Sequence, residues 1–281
     1  MVAFGCLWGV SCDAAKVHPV RSPIELVPGV QHIGYISDPR ITESSGVIVS
    51  RTYTNVFWTH NDGPKSYTLF GITRGGQTVA SFHVAGVLLH DWEDIAIDSE
   101  HHVYIGDIGN NDARRFSIAV HQIDEPDPKL SGTSVSIRRS WNLRFPGAPF
   151  DCESLFIWGS YGYVISKVFN DARAEIYRFP LTQQTEPFTL ELVTQLKIES
   201  PVTGADLSAD GKLLGIVAKS GAFVYPVNGN IAKAGKVKPW HTKFKQNEHI
   251  EGCTFVPDGL LATAETRDIY LFNDPAFHPG K

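Results

Sequence analysis

A fivefold internal repeat constrains the fold of this chain more than any other feature of its sequence. Each repeat has a small or acidic opening residue, an apolar alternating run, a polar or glycine-bearing turn, a second apolar run and an aromatic-rich third run. The openings are Ser45, Glu93, Glu153, Thr203 and Glu251, at spacings of 48, 60, 50 and 48 residues. A unit of about 50 residues with three or four short strands is typical of a propeller blade. The sequence therefore predicts an all-β, five-bladed β-propeller, with a two-sheet sandwich as the alternative.

The fifth repeat is one strand short of a full blade. After Glu251 the sequence shows three strand-like runs, whereas the segment 31–36 stands before the first repeat. We expect this N-terminal segment to supply the outer strand of the last blade, because that pairing closes the ring and leaves no free edge between the first and last blades. The prediction is a single propeller domain over residues 23–281.

Composition and charge exclude several classes of protein. The 281 residues are 42% hydrophobic and 20% charged, with a net charge of −5, which argues against a disordered chain or a long coiled coil. No run approaches the roughly 18–20 apolar residues that cross a bilayer, so we expect no transmembrane segment. No basic block is present that would bind a phosphate backbone, so we expect no nucleic-acid partner. We expect a monomer.

The N-terminus has the character of a secretion signal. Residues 1–15 are apolar and rich in small residues, a pattern typical of the hydrophobic end of a signal peptide. We therefore expect residues 1–15 to be a signal remnant and the protein to be secreted or periplasmic, with a cytosolic protein as the alternative because the basic start of a signal is missing. Cys12 is a weak match to a lipid-anchor site, because Gly9 stands where a large aliphatic residue is expected. Cys152 and Cys253 lie in apolar runs and are expected to be buried, inert thiols.

Polar residues from all five repeats are predicted to meet at one face of the propeller. The first strand of a blade lies beside the axis, and the second strand runs antiparallel to the first. The start of the first strand and the end of the second strand therefore lie on the same face of the propeller. The five repeat openings therefore form a ring around the axis. The second-strand ends add Asp62 with His60 and Asn61, Asp107 with Asn110, Lys167, Lys219 and Glu265.

Three glutamates around one axis favour a bound cation. Glu93, Glu153 and Glu251 would repel one another unless positive charge lay between them. The ring of Ser45, Glu93, Glu153, Thr203 and Glu251 supplies only oxygen, which suits Ca²⁺ and disfavours zinc or copper. We therefore predict Ca²⁺ as the cofactor, held by these five residues. In the alternative interpretation the glutamates cap strand ends and face solvent.

The ring order Ser, Glu, Glu, Thr, Glu resembles that of the calcium-dependent soluble apyrases. The resemblance covers the ring positions and the blade number, and it implies one axial Ca²⁺ in a five-bladed propeller that hydrolyses nucleoside di- and triphosphates. A second resemblance extends from about Glu43 to Phe272 and is to exported bacterial propellers without assigned function. It rests on the phrases Asp91-Trp92-Glu93-Asp94-Ile95-Ala96, Gly106-Asp107-Ile108-Gly109-Asn110 and Gly204-Ala205-Asp206-Leu207-Ser208.

Three functions fit these residues, and the first is a hydrolase acting on an anionic, phosphate-bearing small molecule. In that interpretation Ca²⁺ polarises the scissile group, Lys167 and Lys219 hold negative charge, and one carboxylate activates water. The candidate bases are Asp62, Asp107 and Glu265, and the candidate ligand contacts are His60, Asn61 and Asn110. The second function is a non-catalytic propeller with structural calcium that binds a glycan or a protein. The third is a glycoside hydrolase that uses two of the carboxylates.

Overall fold

The computed structural model describes residues 22–63, 67–169, 173–198, 200–245, 249–273 and Phe277. The predicted signal remnant, residues 1–15, lies outside these ranges. Within them the chain forms 23 strands and two 3₁₀ helices, Pro128–Leu130 and Ile231–Gly235. No helix of the described ranges has the length and apolar character needed to cross a membrane.

The strands follow one another in a simple order along the chain. They are β1 (Ile24–Val27), β2 (Val30–Tyr35), β3 (Ser44–Val49), β4 (Phe57–Asn61), β5 (Thr68–Ile72), β6 (Thr78–Ala85), β7 (Trp92–Ile97), β8 (His102–Asp107), β9 (Ser117–Asp124), β10 (Ser134–Ser136), β11 (Arg139–Arg144), β12 (Asp151–Trp158), β13 (Tyr161–Lys167), β14 (Glu175–Pro180), β15 (Phe188–Thr189), β16 (Glu191–Gln195), β17 (Val202–Leu207), β18 (Leu213–Ala218), β19 (Gly221–Pro226), β20 (Trp240–Lys243), β21 (Ile250–Val256), β22 (Gly259–Ala264) and β23 (Asp268–Phe272).

These strands form five sheets arranged as the blades of a propeller. From the axis outward, blade 1 is β3-β4-β5-β6, blade 2 is β7-β8-β9-β11, blade 3 is β12-β13-β14-β16, blade 4 is β17-β18-β19-β20 and blade 5 is β21-β22-β23-β2. Each inner strand contacts the next around the ring, from β3 through β7, β12, β17 and β21 back to β3. The predicted five-bladed β-propeller is therefore confirmed, and the two-sheet sandwich is excluded.

The N-terminal strand closes the ring as the sequence predicts. Strand β2 pairs antiparallel with β23, with Val30 opposite Phe272 and Gln31 opposite Leu271. Strand β1 then adds outside β2, as β10 does outside β6 and β15 outside β11, so blades 1, 2 and 5 have five strands each. Blade 5 is thus built from both ends of the described chain.

The turn between the first and second strands of a blade is shaped by side chains that bond its backbone. Between β7 and β8, Asp98 Oδ1 accepts hydrogen bonds from the amides of Glu100 and His102 at 2.9 and 2.8 Å. Between β17 and β18, Gly211 takes a φ of +69° after Asp210, a conformation that glycine adopts without steric cost. In these two blades aspartate and glycine therefore shape the turn where the repeat pattern indicates.

The hydrophobic core lies between neighbouring blades. Five apolar clusters fill the five interfaces, and each contains side chains from two adjacent blades. Cys152 belongs to the cluster between blades 2 and 3 and Cys253 to the cluster between blades 4 and 5, and both thiols are free and buried. Burial raises the pKa of both thiols well above the ordinary value, so the expectation of buried thiols is confirmed.

We expect Val30→Asp to unfold the propeller at a lower temperature, because Val30 is fully buried in β2 where that strand closes the ring. A buried, unpaired carboxylate costs several kcal/mol, and about 3–4 kcal/mol would lower the Tm by roughly 10 °C in a domain of this size. The matched control is Ile24→Asp, since Ile24 is exposed on the outermost strand β1. Differential scanning calorimetry of both variants measures the effect, and equal melting temperatures would refute the role of β2 in closure.

Candidate metal centre

A β-bulge interrupts every inner strand at the ring position. In β7, Trp92 pairs with Asp107 and Asp94 pairs with Gly106, so Glu93 is an extra residue without a partner. The same interruption falls at Glu153, Thr203 and Glu251, and in β3 it falls between Ser44 and Val47, a span that includes Ser45. A bulge bends its strand and re-aims the side chain of the extra residue. The five predicted ring residues therefore occupy equivalent positions near the starts of the inner strands. We call the face of the propeller at which the inner strands start the ring face.

Ser45 and Thr203 use their hydroxyl groups to join neighbouring blades. Ser45 Oγ donates to the Glu93 carbonyl oxygen at 2.6 Å, and Thr203 Oγ1 donates to the Ile250 carbonyl oxygen at 2.7 Å. Each bond crosses from one inner strand to the next. The two residues thus brace the ring, and the cation contact predicted for them stays a prediction.

Three carboxylate groups meet beside the axis at blades 1 and 2. Asp62 follows β4, Asp91 precedes β7 and Glu93 is the bulge residue, and each places a carboxylate oxygen within 4.8 Å of the other two. Asp62 Oδ1 and Glu93 Oε1 are buried and accept no hydrogen bond in the described part of the chain. Glu93 is only 3% exposed. This group, which we call the acidic triad, is the arrangement in which a cation would replace missing donors.

A second pair of carboxylates borders the acidic triad from blade 3. Asp151 Oδ2 and Glu153 Oε2 are also buried without a hydrogen bond in the described ranges, while Asp151 Oδ1 accepts from the Asn110 amide at 2.7 Å. Glu153 Oε1 pairs with the Lys167 ammonium group. Lys167, predicted to hold a ligand, is thus an internal partner of a ring glutamate.

Sequence reasoning missed Asp91 and Asp151. Both stand two residues before a ring glutamate, so blades 2 and 3 carry the same Asp-x-Glu spacing. In an extended segment, residues two apart point to the same side, and the bulge falls at the glutamate itself. The repeated Asp-x-Glu spacing was the signal that could have identified them.

Burial and mutual repulsion raise the pKa values of these carboxyl groups. Burial is the largest cause at each, and it is followed at Glu93 and at Glu251 by the charge of Glu153. The pKa of Asp62 rises to about 6, that of Glu153 to about 7 and that of Glu251 to about 9. The Lys167 charge opposes the rise at Glu153 but does not cancel it. A divalent cation would stabilise the ionised forms that burial disfavours.

Asp107, predicted as a candidate base, has its carboxylate occupied by protein donors. Its Oδ1 accepts from the Asp91 amide at 2.8 Å and from the His90 amide at 3.2 Å, and it pairs with Arg115 Nη2 at 3.0 Å. Asp107 is also buried. It therefore holds the segment that carries Asp91 and is a positioning residue for the acidic triad.

His60 lies behind the ring and not in contact with solvent. It is fully buried, its Nε2 accepts from the Gly46 amide at 3.2 Å, and its ring stacks on Trp92 at 4.1 Å between centroids. Burial lowers its pKa to about 3, so the imidazole is neutral. The predicted ligand contact does not fit this position, because the side chain is enclosed and supports the bulges of β3 and β7.

Asn61 and Asn110, the other two predicted ligand contacts, brace loops. Asn61 Oδ1 accepts from the Thr42 amide at 2.9 Å, and its Nδ2 donates to the Arg40 carbonyl oxygen at 2.8 Å. Asn110 Oδ1 accepts from the Arg115 amide at 2.9 Å, and its Nδ2 donates to the Arg115 carbonyl oxygen at 3.1 Å. Both side chains are used within the fold, and only the tertiary structure reveals their partners.

Lys219, Glu251 and Glu265 occupy the side of the ring face formed by blades 4 and 5. Glu251 is buried beside Glu153, and burial and the charges of Glu153 and Glu265 raise its pKa, while the charges of Lys167 and Lys219 only partly oppose the rise. Glu265 is partly exposed, and its Oε2 lies 2.9 Å from His249 Nδ1. Carboxylates thus outnumber ammonium groups on both sides of the ring.

Gly109 makes room for the acidic triad. Its amide donates to the Asp91 carbonyl oxygen at 3.2 Å, and a Cβ atom added there would lie 2.2 Å from Glu93 Oε1 and 2.4 Å from Asp91 Oδ2. Any other residue would displace those carboxylate oxygens. The glycine of this loop is therefore a condition for the geometry of the site.

No protein-family model matches this chain, and a search of curated proteins found no match. The similar solved structures include the selenomethionine-substituted virginiamycin B lyase from Staphylococcus aureus, with a TM-score of 0.45 and 10% identity. The similarity covers 84% of this chain and 68% of that chain. A structural similarity with a TM-score below 0.5 supports no inference about the activity or the substrate of this chain.

We expect Gly109→Ala to weaken the predicted Ca²⁺ binding at least tenfold while the propeller stays folded, because the three atoms nearest the added methyl group all belong to the side chains of Glu93 and Asp91. Gly147→Ala is the matched control, since no atom lies within 4 Å of the added Cβ at that loop glycine. Titration of both variants with Ca²⁺, followed by the rise in Tm, measures the difference. Equal affinities would show that the acidic triad is not where the cation binds.

We expect the cation-free protein to lose stability as pH rises from 5 to 9. The folded-state pKa values of Asp62, Glu153 and Glu251 lie above the unfolded values of about 4, so the folded state binds these protons more tightly. That stabilisation is complete below the unfolded pKa and is lost as pH passes the folded values. Urea unfolding at each pH in the presence of a chelator measures how the free energy of unfolding changes with pH.

In the same experiment Glu251→Gln should reduce the change in the free energy of unfolding at the alkaline end of the pH range. Glu191→Gln is the control, because Glu191 is exposed on blade 3 and its pKa is lowered by the hydrogen bond from Arg178, so it titrates below the range tested. A stability that rises from pH 5 to 9 in the parent protein would contradict the buried placement of the ring carboxylates.

Proposed function

We propose that this protein is a calcium-dependent hydrolase that acts on a phosphate-bearing small molecule at the ring face. One observation carries the proposal: the acidic triad gathers three carboxylates, and two of their buried oxygens have no donor in the described part of the chain. Leaving charged oxygens buried without donors costs free energy. A cation among them offsets that cost.

Glu93, Asp91 and Asp62 would hold the cation, with Asp151 and Glu153 beside them. Every donor in this set is a carboxylate oxygen, which favours Ca²⁺ over zinc or copper. Ca²⁺ takes six to eight oxygens, so three carboxylates leave positions for water and for a substrate oxygen. When bound, the ion would polarise a phosphoryl group.

Glu265 is the best candidate base among the three that the sequence offers. Asp107 is occupied by protein donors, and Asp62 belongs to the acidic triad. Glu265 is partly exposed, pairs with His249 at 2.9 Å and lies close enough to Asp62 to help raise its pKa. A carboxylate–imidazole pair can take a proton from water during attack on a phosphoryl group.

Because carboxylates outnumber ammonium groups at the ring face, we expect Ca²⁺ to bind before the substrate. Lys167 and Lys219 face a larger number of acidic groups, so the ring face of the cation-free protein repels an anion. A bound divalent ion reduces this repulsion at the position where the phosphate would lie. Substrate binding is therefore expected to require Ca²⁺.

A second candidate function follows from the pairing of Lys167 with Glu153. If that pair persists in the calcium-loaded protein, Lys167 is not available to hold a phosphate. The protein would then be a binding propeller with structural calcium that recognises a glycan or another protein. Turnover of a phosphate ester separates the two functions.

We expect Glu93→Gln to abolish Ca²⁺ binding measured by isothermal titration calorimetry, because it removes the charge at the centre of the acidic triad and keeps the shape of the side chain. The control is the exposed Glu191→Gln, which should bind Ca²⁺ as the parent does. Glu265→Gln should retain Ca²⁺ binding and lose hydrolysis of 4-nitrophenyl phosphate by about 10²-fold or more. Ca²⁺ binding that survives Glu93→Gln would refute the site, and calcium-loaded protein without turnover of phosphate esters would favour the binding propeller.

A further inference from the structure

Three large apolar side chains stand exposed around the acidic part of the ring face. Leu88 is 76% exposed in the loop between β6 and β7, Phe116 is 81% exposed directly before β9, and Phe169 is 54% exposed after β13. These loops join strand ends on the ring face, where the inner strands start. We call these three residues the apolar rim.

Two members of the apolar rim are linked to the acidic triad through Asp107. Phe116 follows Arg115, whose guanidinium group donates to the Gly109 carbonyl oxygen at 2.7 Å and pairs with Asp107. Leu88 stands two residues before His90, whose Nδ1 lies 3.4 Å from Asp107 Oδ2. Since Gly109 lies against Glu93 and Asp91, the two loops that carry Phe116 and Leu88 are bonded to the same segment as the proposed cation site.

The third member is linked through Lys167. The Phe169 ring centroid lies 6.0 Å from Lys167 Nζ, and that ammonium group pairs with Glu153. Phe169 therefore borders the blade 3 side of the acidic groups. The apolar rim extends from the loop between blades 1 and 2 to blade 3, the same sector as the carboxylates with unbonded oxygens, which come from blades 1, 2 and 3.

The position of these exposed apolar side chains on the ring face indicates a role in ligand binding. Single exposed apolar residues are ordinary on protein surfaces, whereas apolar groups that surround a polar site mark a ligand-binding surface. Two cationic side chains lie near the apolar rim, each with an acidic partner: Arg114, 85% exposed two residues before Phe116, lies 3.5 Å from Asp112, and Lys167 beside Phe169 pairs with Glu153. A ligand that fits carries negative charge for the cation and an apolar group for the rim.

We infer that the ring face selects anions that bear a bulky apolar group, such as an aryl phosphate, over anions of the same charge without one. This inference rests on the proposed function of the cation site and adds its substrate class. The anionic group would lie against the bound cation, and the apolar group would cover Phe116 and Phe169.

The test uses two phosphonates that the protein cannot hydrolyse at their carbon–phosphorus bond, phenylphosphonate and methylphosphonate, with the full chain in saturating Ca²⁺. We expect phenylphosphonate to bind at least tenfold more tightly in isothermal titration calorimetry. Phe116→Ser and Phe169→Ser should each lower the affinity for phenylphosphonate about fivefold and leave that for methylphosphonate unchanged. Leu192→Ser is the control, because Leu192 is 52% exposed on the outer strand β16, away from the ring face.

Each other outcome overturns a distinct claim. Equal affinity for the two phosphonates, or a preference that the rim variants do not change, would overturn this inference and leave the proposed cation site intact. Ca²⁺ binding without binding of either phosphonate would overturn the proposed anionic substrate as well. Binding to phosphatidylserine vesicles that Phe116→Ser abolishes, without a preference between the phosphonates, would assign the rim to a membrane surface and refute the inference.

Discussion

Repulsion among buried carboxylates is the constraint around which the ring face is organised. The bulge in each inner strand places one side chain at the ring position, and three of the five are glutamates whose pKa values burial and mutual charge raise. The fold tolerates this arrangement because its stability comes from elsewhere: apolar clusters fill each interface between blades, and the pairing of β2 with β23 prevents the ring from opening.

The buried carboxylates divide into two groups according to their donors. Asp94 Oδ2 accepts from the Leu155 amide at 2.7 Å and Asp206 Oδ2 from the Phe255 amide at 2.8 Å, and each bond joins one inner strand to the next. Asp107 is likewise occupied by backbone and guanidinium donors. Such groups stabilise the fold. The unbonded oxygens of Asp62 and Glu93 form no such bond within the described chain.

The ring face is asymmetric, and in the proposed hydrolase this asymmetry would orient the substrate. Blades 1 and 2 supply the acidic triad, whereas Lys167 and Lys219 come from blades 3 and 4, and Glu265 with His249 from blade 5. The apolar rim extends from the loop between blades 1 and 2 to blade 3. In the proposed hydrolase, a cation at the triad would hold the anion, the apolar group would extend toward Phe116 or Phe169, and the Glu265–His249 pair would approach from across the axis.

The sequence by itself determined the blade number, the closure by the N-terminal strand and the ring positions, because strand period, turn residues and a repeat of about 50 residues are local patterns. It did not identify Asp91 and Asp151, which lie two residues outside the position on which the repeats align. It also presented His60, Asn61, Asn110 and Asp107 as available side chains, since a sequence does not show which donors and acceptors a folded side chain meets. Only the tertiary structure decided which carboxylates lie together at the proposed cation site and which are bonded within the protein, because that depends on separations of a few ångströms between blades. Asp62 and Glu93, for example, lie 31 positions apart in the chain.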